Sequence, residues 1–476
     1  MDRGRLVTTA LSIGVCAAWS MGLAPIHLPM SAGHLTGATT RATTRPDHSG
    51  DGYVTNFVKG ADTVAFHVSA VAGVYDVRLR YCSPGGHKVL HLRVNDVTAD
   101  VMLPQTDDRW TTADAGRVDL GDGDNALAIG GGWGHYDLDA VDLTPATRGP
   151  ATRPAGVLCD PRATPAARHL MQRLQSGYGS VTLSGGYGGT EEAYVAAHAD
   201  GRRPALYGSD LMEFSPTRVA HGADPTGIVE DVLRHAGTGQ AVTLSWHWNA
   251  PAHLLDTVVT GPGGRSIDRR WYKGFNADAS TFDLAGALRD PSSDDYRMLL
   301  RDIDAVAAPL KRLADAGVPV LWRPLHEADG QWFWWGSKGP VPFVALWRLM
   351  HDRLTGVHGL HNLIWVYSYA NRVDPRWYPG DGYVDVVGVD GYPTDNRDAM
   401  GQAWLDGARL TSSKLMALTE FDGVPDVARM HRLGYPWAYF VSWHDPNGPA
   451  KTGAAEVRRR YADGFVTDLS RWEKTR

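Results

Sequence analysis

Cysteine is scarce in this chain, three in 476 residues, and a surplus of positive charge is missing altogether. With so few cysteines, at most one internal disulfide can survive removal of a leader that carries the third, Cys16. The net charge of −6 and pI near 6.3 remove the electrostatic case for a nucleic-acid partner or an acidic membrane surface. Beyond the first two dozen residues no apolar run reaches the ~20 residues that a spanning helix needs. A Gly-rich phosphate-binding turn is also absent, which weakens the case for an open, doubly wound sheet. What is present is ordinary globular material, 43% hydrophobic and 21% charged. The length calls for two domains plus extras.

Residues 1–24 read as a secretory leader. Arg3 and Arg5 supply the charged start, Leu6 to Ala18 the apolar stretch, and Ala24 the small residue before cleavage. Thr8, Thr9, Ser12 and Ser20 interrupt that stretch, against a membrane anchor, and Val15 before Cys16 argues against lipidation. The expected mature protein is secreted, extracellular, soluble and monomeric. Export permits a Cys82–Cys159 bridge that would clamp the two halves together; two buried free thiols are the other reading.

Residues 28–145 alternate apolar and polar positions between Gly, Pro and Asn-Asp breaks, as in TVAFHV (63–68), VYDVRLRY (74–81) and VLHLRV (89–94). Short strands at regular spacing predict an antiparallel, jelly-roll-like β-sandwich. TPATRGPATRPAG (144–156) has linker composition and sets the boundary at 146–158. From 159 to 476 strand-like runs alternate with helical stretches such as Asp294–Ala316 and Pro342–Leu354. Eight runs follow in order: 180–186, 205–212, 241–248, 319–327, 362–370, 384–392, 415–421 and 437–445. Eight βα units over roughly 300 residues predict a (β/α)8 barrel, with chemistry at the C-terminal strand ends.

Those ends collect polar and aromatic groups. The third run ends in Trp246-His247-Trp248, the fourth in His326-Glu327, and the sixth in Asp390-Gly391-Tyr392. The seventh ends in Glu420 and the eighth in Trp443-His444-Asp445. LWRPLHEADGQWFWWG (321–336) sets Glu327 just before Trp332, Phe333, Trp334 and Trp335, in a chain with seventeen tryptophans. An acid beside flat apolar rings suits sugar chemistry, because rings stack on pyranose C–H faces while the acid handles the glycosidic oxygen. The competing reading is a core loop with a strand-end salt bridge. Strand alternation predicts that Arg323 shares the barrel-facing side with Glu327, where it could hold a carboxylate ionised or form a structural ion pair. Tyr392 is expected to donate a hydrogen bond to a nucleophile or to pack.

RPLHE followed by DGQWFWWG, with SWHW upstream and ALTEF downstream, resembles glycoside hydrolase family 26. The likeness extends over 160–445 through DLMEFSPTRVAHG, TLSWHWNAP, TFDLAGAL and RDIDAVAAPLKRLADAGVPVLWRPLHE. It implies a (β/α)8 barrel, a retaining mechanism and endo-β-1,4-mannanase activity on mannan, galactomannan or glucomannan, with no cofactor needed for catalysis. Mixed-linkage β-glucan or β-1,3-xylan hydrolysis is the sibling specificity, and a non-catalytic carbohydrate-binding barrel the alternative from another class. Position by position, Glu327 matches the acid/base and Glu420 the nucleophile. His247 and His326 match histidines of the subsite holding the attacked sugar. Trp332 matches the ring near the acid/base, Tyr392 the tyrosine orienting the nucleophile, and Trp443 the stacking platform. His444 departs from an Arg that grips the next sugar in some members.

The front domain resembles carbohydrate-binding module family 35 through LTGA (35–38), HSGDGYVTNF (48–57) and GGWGHYDLDAVDL (131–143). Trp133 and Asp137 match common ligand contacts, and Tyr53 and His135 are secondary candidates. Such modules often hold structural calcium. LPMSAG (28–33) lacks the usual acidic pair, which leaves Asp139 and Asp142 as the expected ligands if a calcium is held; no metal is expected in the barrel.

Overall fold

The computed structural model describes residues 24–146, 154–370 and 373–474. The expected leader, apart from Ala24, and most of the expected linker lie outside the described residues.

Residues 26–145 form two antiparallel sheets, of six and five strands, around one apolar core. Alternation sets which side chains enter that core. In Gly73–Cys82, Tyr75, Val77, Leu79 and Tyr81 are buried while Asp76 and Arg78 face outward. Val97–Leu103 is an edge strand of the five-stranded sheet and Thr111–Leu120 of the six-stranded one. Both edges contact the second domain.

That domain is a closed parallel barrel. Its strands, here numbered β1 to β8, are Thr182–Tyr187, Leu206–Asp210, Ala241–Trp246, Val320–Pro324, Leu363–Tyr369, Val386–Gly391, Leu415–Phe421 and Tyr439–Ser442. β1 pairs with both β2 and β8, which closes the ring. Helices cover the outer face, so the strands are buried on both sides and most are rich in apolar residues; every residue of β5 and β7 is buried. All eight expected runs form strands. The expected helices appear as Asp294–Asp315, whose N-cap Ser293 accepts from Tyr296, and Pro340–Asp352, with proline in its first turn. The loop after β3 also carries an exposed hairpin, Thr257–Thr260 with Ser266–Arg269, that periodicity did not reveal.

Several strands stop short of their expected ends, β2 at Asp210, β3 at Trp246, β6 at Gly391 and β8 at Ser442, so that His247, Tyr392 and Trp443 lie just past their strands; the largest departure is in β4. The fourth run was expected to continue to Glu327, but β4 stops at Pro324. Proline has no N–H to continue a ladder, and Leu325 and Glu327 then turn with φ of 51° and 54°. Arg323 does lie in the barrel interior, yet Glu327 reaches the mouth through a left-handed turn, so strand alternation is not what aims it.

Cys82 and Cys159 are free. Cys82 Sγ faces Thr106 within the sandwich and Cys159 Sγ faces His351 within the barrel domain, so no bridge between them joins the halves. No helix among the described residues is long and apolar enough to cross a membrane.

Candidate active site

The barrel mouth is organised around Arg323 of β4, which is 2% exposed. Its guanidinium donates to Glu420 Oε1 at the end of β7, and at 2.9 Å to Asp390 Oδ2 of β6. Such a fork holds two buried carboxylates at fixed spacing. Asp390 also accepts from Ser368 at 2.7 Å and from Thr419 at 2.6 Å. The pairing of β6 with β7 skips one residue between Leu418 and Glu420. That bulge lets consecutive residues, Thr419 and Glu420, both bond groups of the barrel interior. The second oxygen of Glu420 accepts from the Tyr392 phenol at 2.5 Å.

Glu327 sits across this group, 9% exposed. Its Oε2 accepts from the Trp332 indole N–H at 2.9 Å. Burial, then the negative charges of Glu420 and Asp390, push its carboxyl well above the ordinary range, against the pull of Arg323 and Trp332. Trp332 is itself held closely: a Cβ on Gly330 would fall 2.1 Å from its ring. Trp332 and Tyr392 are each 42% exposed and so present ring surface to solvent at the mouth. Phe333, Trp334 and Trp335 are buried, and the indoles of Trp334 and Trp335 donate to the carbonyls of Trp248 and His326. Of the four rings, only Trp332 is available to a ligand.

A second polar chain lines the other side. Asp210, at the end of β2, bonds His247 Nδ1 at 2.5 Å, and His247 Nε2 lies 3.1 Å from His326 Nε2. Burial works to raise the Asp210 carboxyl, but His247 outweighs it and brings it down to about 2. Burial and the Arg323 charge push the buried His326 well below its usual range. Asp210, His247 and His326 thus form one hydrogen-bonded chain along this side of the mouth. Tyr187, ending β1, bonds Asp210 at 3.1 Å and packs on Trp443 with ring centroids 4.2 Å apart. His444 is exposed beside them, 4.7 Å from the Trp443 ring.

The structure thus gathers Glu327, Glu420, His247, His326, Trp332, Tyr392 and Trp443 at one mouth. Asp210 and Tyr187 join them unannounced, although both end a strand just as the recognised groups do. Ser368 and Thr419 gave no sequence signal, since hydroxyl residues inside a strand are common.

In the module, Trp133 is 56% exposed on the 131–136 loop, with the His87 ring 5.7 Å away. Asp137 is held by Arg45 at 3.0 Å, and Tyr53 is buried edge-on against Trp110. His135 is exposed in a left-handed turn. Of the two aspartates left for calcium, Asp139 does not fit that task. Asp139 is buried and committed to Arg80 and to both Ser49 donors, and Asp142 is bonded to His27. A carboxylate already neutralised by a guanidinium has little left for a cation.

A closed parallel barrel with two carboxylates facing one another among indole rings defines the class of sugar-cleaving barrel enzymes. Residues 159–470 match the model of glycosyl hydrolase family 26, and residues 30–146 match that of carbohydrate binding module family 35. The chain belongs to glycosyl hydrolase family 26. It is 39% identical over 437 residues to a mannan endo-1,4-beta-mannosidase of Thermothelomyces thermophilus, covering 90% of this chain and 87% of that one. Among solved structures it is similar to a Podospora anserina GH26-CBM35 β-(1,4)-mannanase, with TM-score 0.67 and 36% identity over 94% of this chain and 99% of that one. It also resembles a β-mannanase from a symbiotic protist of the termite Reticulitermes speratus, complexed with gluco-manno-oligosaccharide. There the TM-score is 0.58 and identity 27%, over 67% of this chain and 98% of that one.

Proposed function

We propose that the protein is a secreted, retaining endo-β-1,4-mannanase whose front module binds polysaccharide. The carrying observation is the unequal treatment of two carboxyl groups: Glu420 is ion-paired with Arg323 and bonded by Tyr392, whereas Glu327 is buried beside negative charge. Environments that push two acids apart assign them different roles. Glu420 attacks the anomeric carbon, and protonated Glu327 gives its proton to the departing sugar oxygen. Once Glu420 is esterified its negative charge is gone, so Glu327 loses its proton more readily and activates water. Trp443, His247 and His326 hold the attacked sugar, and Trp332 borders the leaving one. The cycle uses two carboxylates and a water. The mannan preference is supported by relatives bearing that activity in their names. Export rests on the 1–24 leader.

The test is release of reducing ends from galactomannan, glucomannan, lichenan and β-1,3-xylan, with the first two expected as substrates. Glu327→Ala is expected to keep turning over aryl glycosides with good leaving groups, and Glu420→Ala to lose both substrate types. Equal loss on both substrate types in both variants would count against these role assignments.

A further inference from the structure

The outward N–H groups of an edge strand need partners, and strand Val97–Leu103 finds them in the barrel. Alternate residues of that strand point the same way. Thr98 N donates to Asp395 at 3.2 Å, Asp100 N to Asp398 at 3.1 Å, and Met102 N to Gln402 at 2.8 Å. Gln402 returns the contact, donating to Met102 O at 3.1 Å and to Asp114 O at 2.8 Å, so one buried amide joins the edges of both sheets. The Asp100 carboxylate in turn accepts Thr394 N at 2.8 Å. The approach is tight enough that a Cβ on Gly116 would lie 3.3 Å from Gln402 N.

All four barrel partners sit on the segment that leaves β6 directly after Tyr392. Thr394 is two residues from Tyr392, with Pro393 restricting the backbone between them. Met400 doubles back against the end of β6, where a Cβ on Gly391 would meet its Cε at 2.8 Å. Tyr392 is half-exposed, and its phenol makes the 2.5 Å bond to Glu420. The barrel holds the middle of this segment through Arg460 and Thr452 on Asn396, and the sandwich holds it at Thr394, Asp395, Asp398 and Gln402, so the aim of Tyr392 depends in part on the other domain.

We propose that the sandwich module is a positioning element of the active site: its edge strand fixes the 393–402 segment and thereby holds Tyr392 on Glu420. Asp100, Met102 and Gln402 are positioning residues in this arrangement. The inference rests on the reading of Glu420 as nucleophile and Tyr392 as its orienting partner.

The experiment uses the full chain and a soluble manno-oligosaccharide, so that polysaccharide capture by the module plays no part. Gln402→Ala is expected to lower kcat by about tenfold with KM changed less than about twofold, since misorientation of a reacting group costs turnover. Met102→Pro, which deletes one outward N–H from an edge strand that tolerates proline, should do the same and serves if Gln402→Ala fails to fold. Added to Tyr392→Phe, either change should cost nothing further, because residues acting through one group are not additive. Asp119→Ala, which removes the pairs with Arg429 and Arg432 in the same interface, should leave kcat unchanged. Full kcat in both edge variants, or losses that add to that of Tyr392→Phe, would overturn the proposal. Full kcat in Tyr392→Phe alone would instead bring down the site reading beneath it.

Discussion

Glu327 is tuned by neighbours that pull in opposite directions. Burial and the charges of Glu420 and Asp390 favour its protonated form, while Arg323 and the Trp332 hydrogen bond favour the carboxylate. Removing the indole N–H therefore lets the carboxyl rise further. Trp332→Phe is expected to move the alkaline limb of kcat/KM to higher pH, because the general acid stays protonated for longer, and to raise KM through a poorer sugar contact. A pH profile on one soluble substrate checks this, and an unmoved or lowered limb contradicts it. At this scale the sequence was most readable for groups that sit alone at a strand end, such as Glu420. It was least readable for Asp210, whose partner His247 lies just past the end of the next strand. Glu327 is an intermediate case: its identity was plain, but the left-handed turn at Leu325 that aims it was hidden, because few residue types advertise a positive φ.

Elements differ in how much of the molecule leans on them. β4 and β7 are bound into the barrel on both sides and carry Arg323 and Glu420 into its interior, so their side chains are fixed by packing. The hairpin 257–269 pairs only with itself in the strand ladders and is largely exposed. Replacing residues 259–267 with a short glycine-serine turn is expected to leave the Tm within a few degrees of the parent, since little apolar area is lost. A thermal melt measures it, and a large drop would mean that the hairpin braces the barrel. The eight strands were legible because most buried parallel strands are short apolar-rich runs ending in polar groups, set at regular spacing between helical stretches. The hairpin was not, because an exposed two-stranded ribbon of Thr, Val, Ser and Arg has no buried face to impose a pattern.

At the scale of the whole molecule, the polar contacts between the domains are numerous and specific. Beyond the edge-strand bonds, Arg409 pairs with Asp114, Asp119 with Arg429 and Arg432, and Arg117 donates to the Leu433 carbonyl. Two domains joined in this way should unfold together, and calorimetry of the full chain is expected to give a single endotherm. Two separated endotherms would show that the interface adds little. None of this was visible in the sequence. The donors at 98, 100 and 102 and the acceptors at 395, 398 and 402 are far apart in the chain, and each set alone looks like ordinary surface.

The buried Gln402 amide has a consequence for how such a protein can be rearranged. A sugar-binding module on a flexible tether can be cut out and grafted to another enzyme with its fold intact. Here the sandwich ends its two sheets on side chains that belong to the barrel, so a graft would carry away an unfinished edge and leave behind a loop that has lost half of its fastenings. The joint behaves as a shared seam, and any new pairing of either half would have to rebuild it.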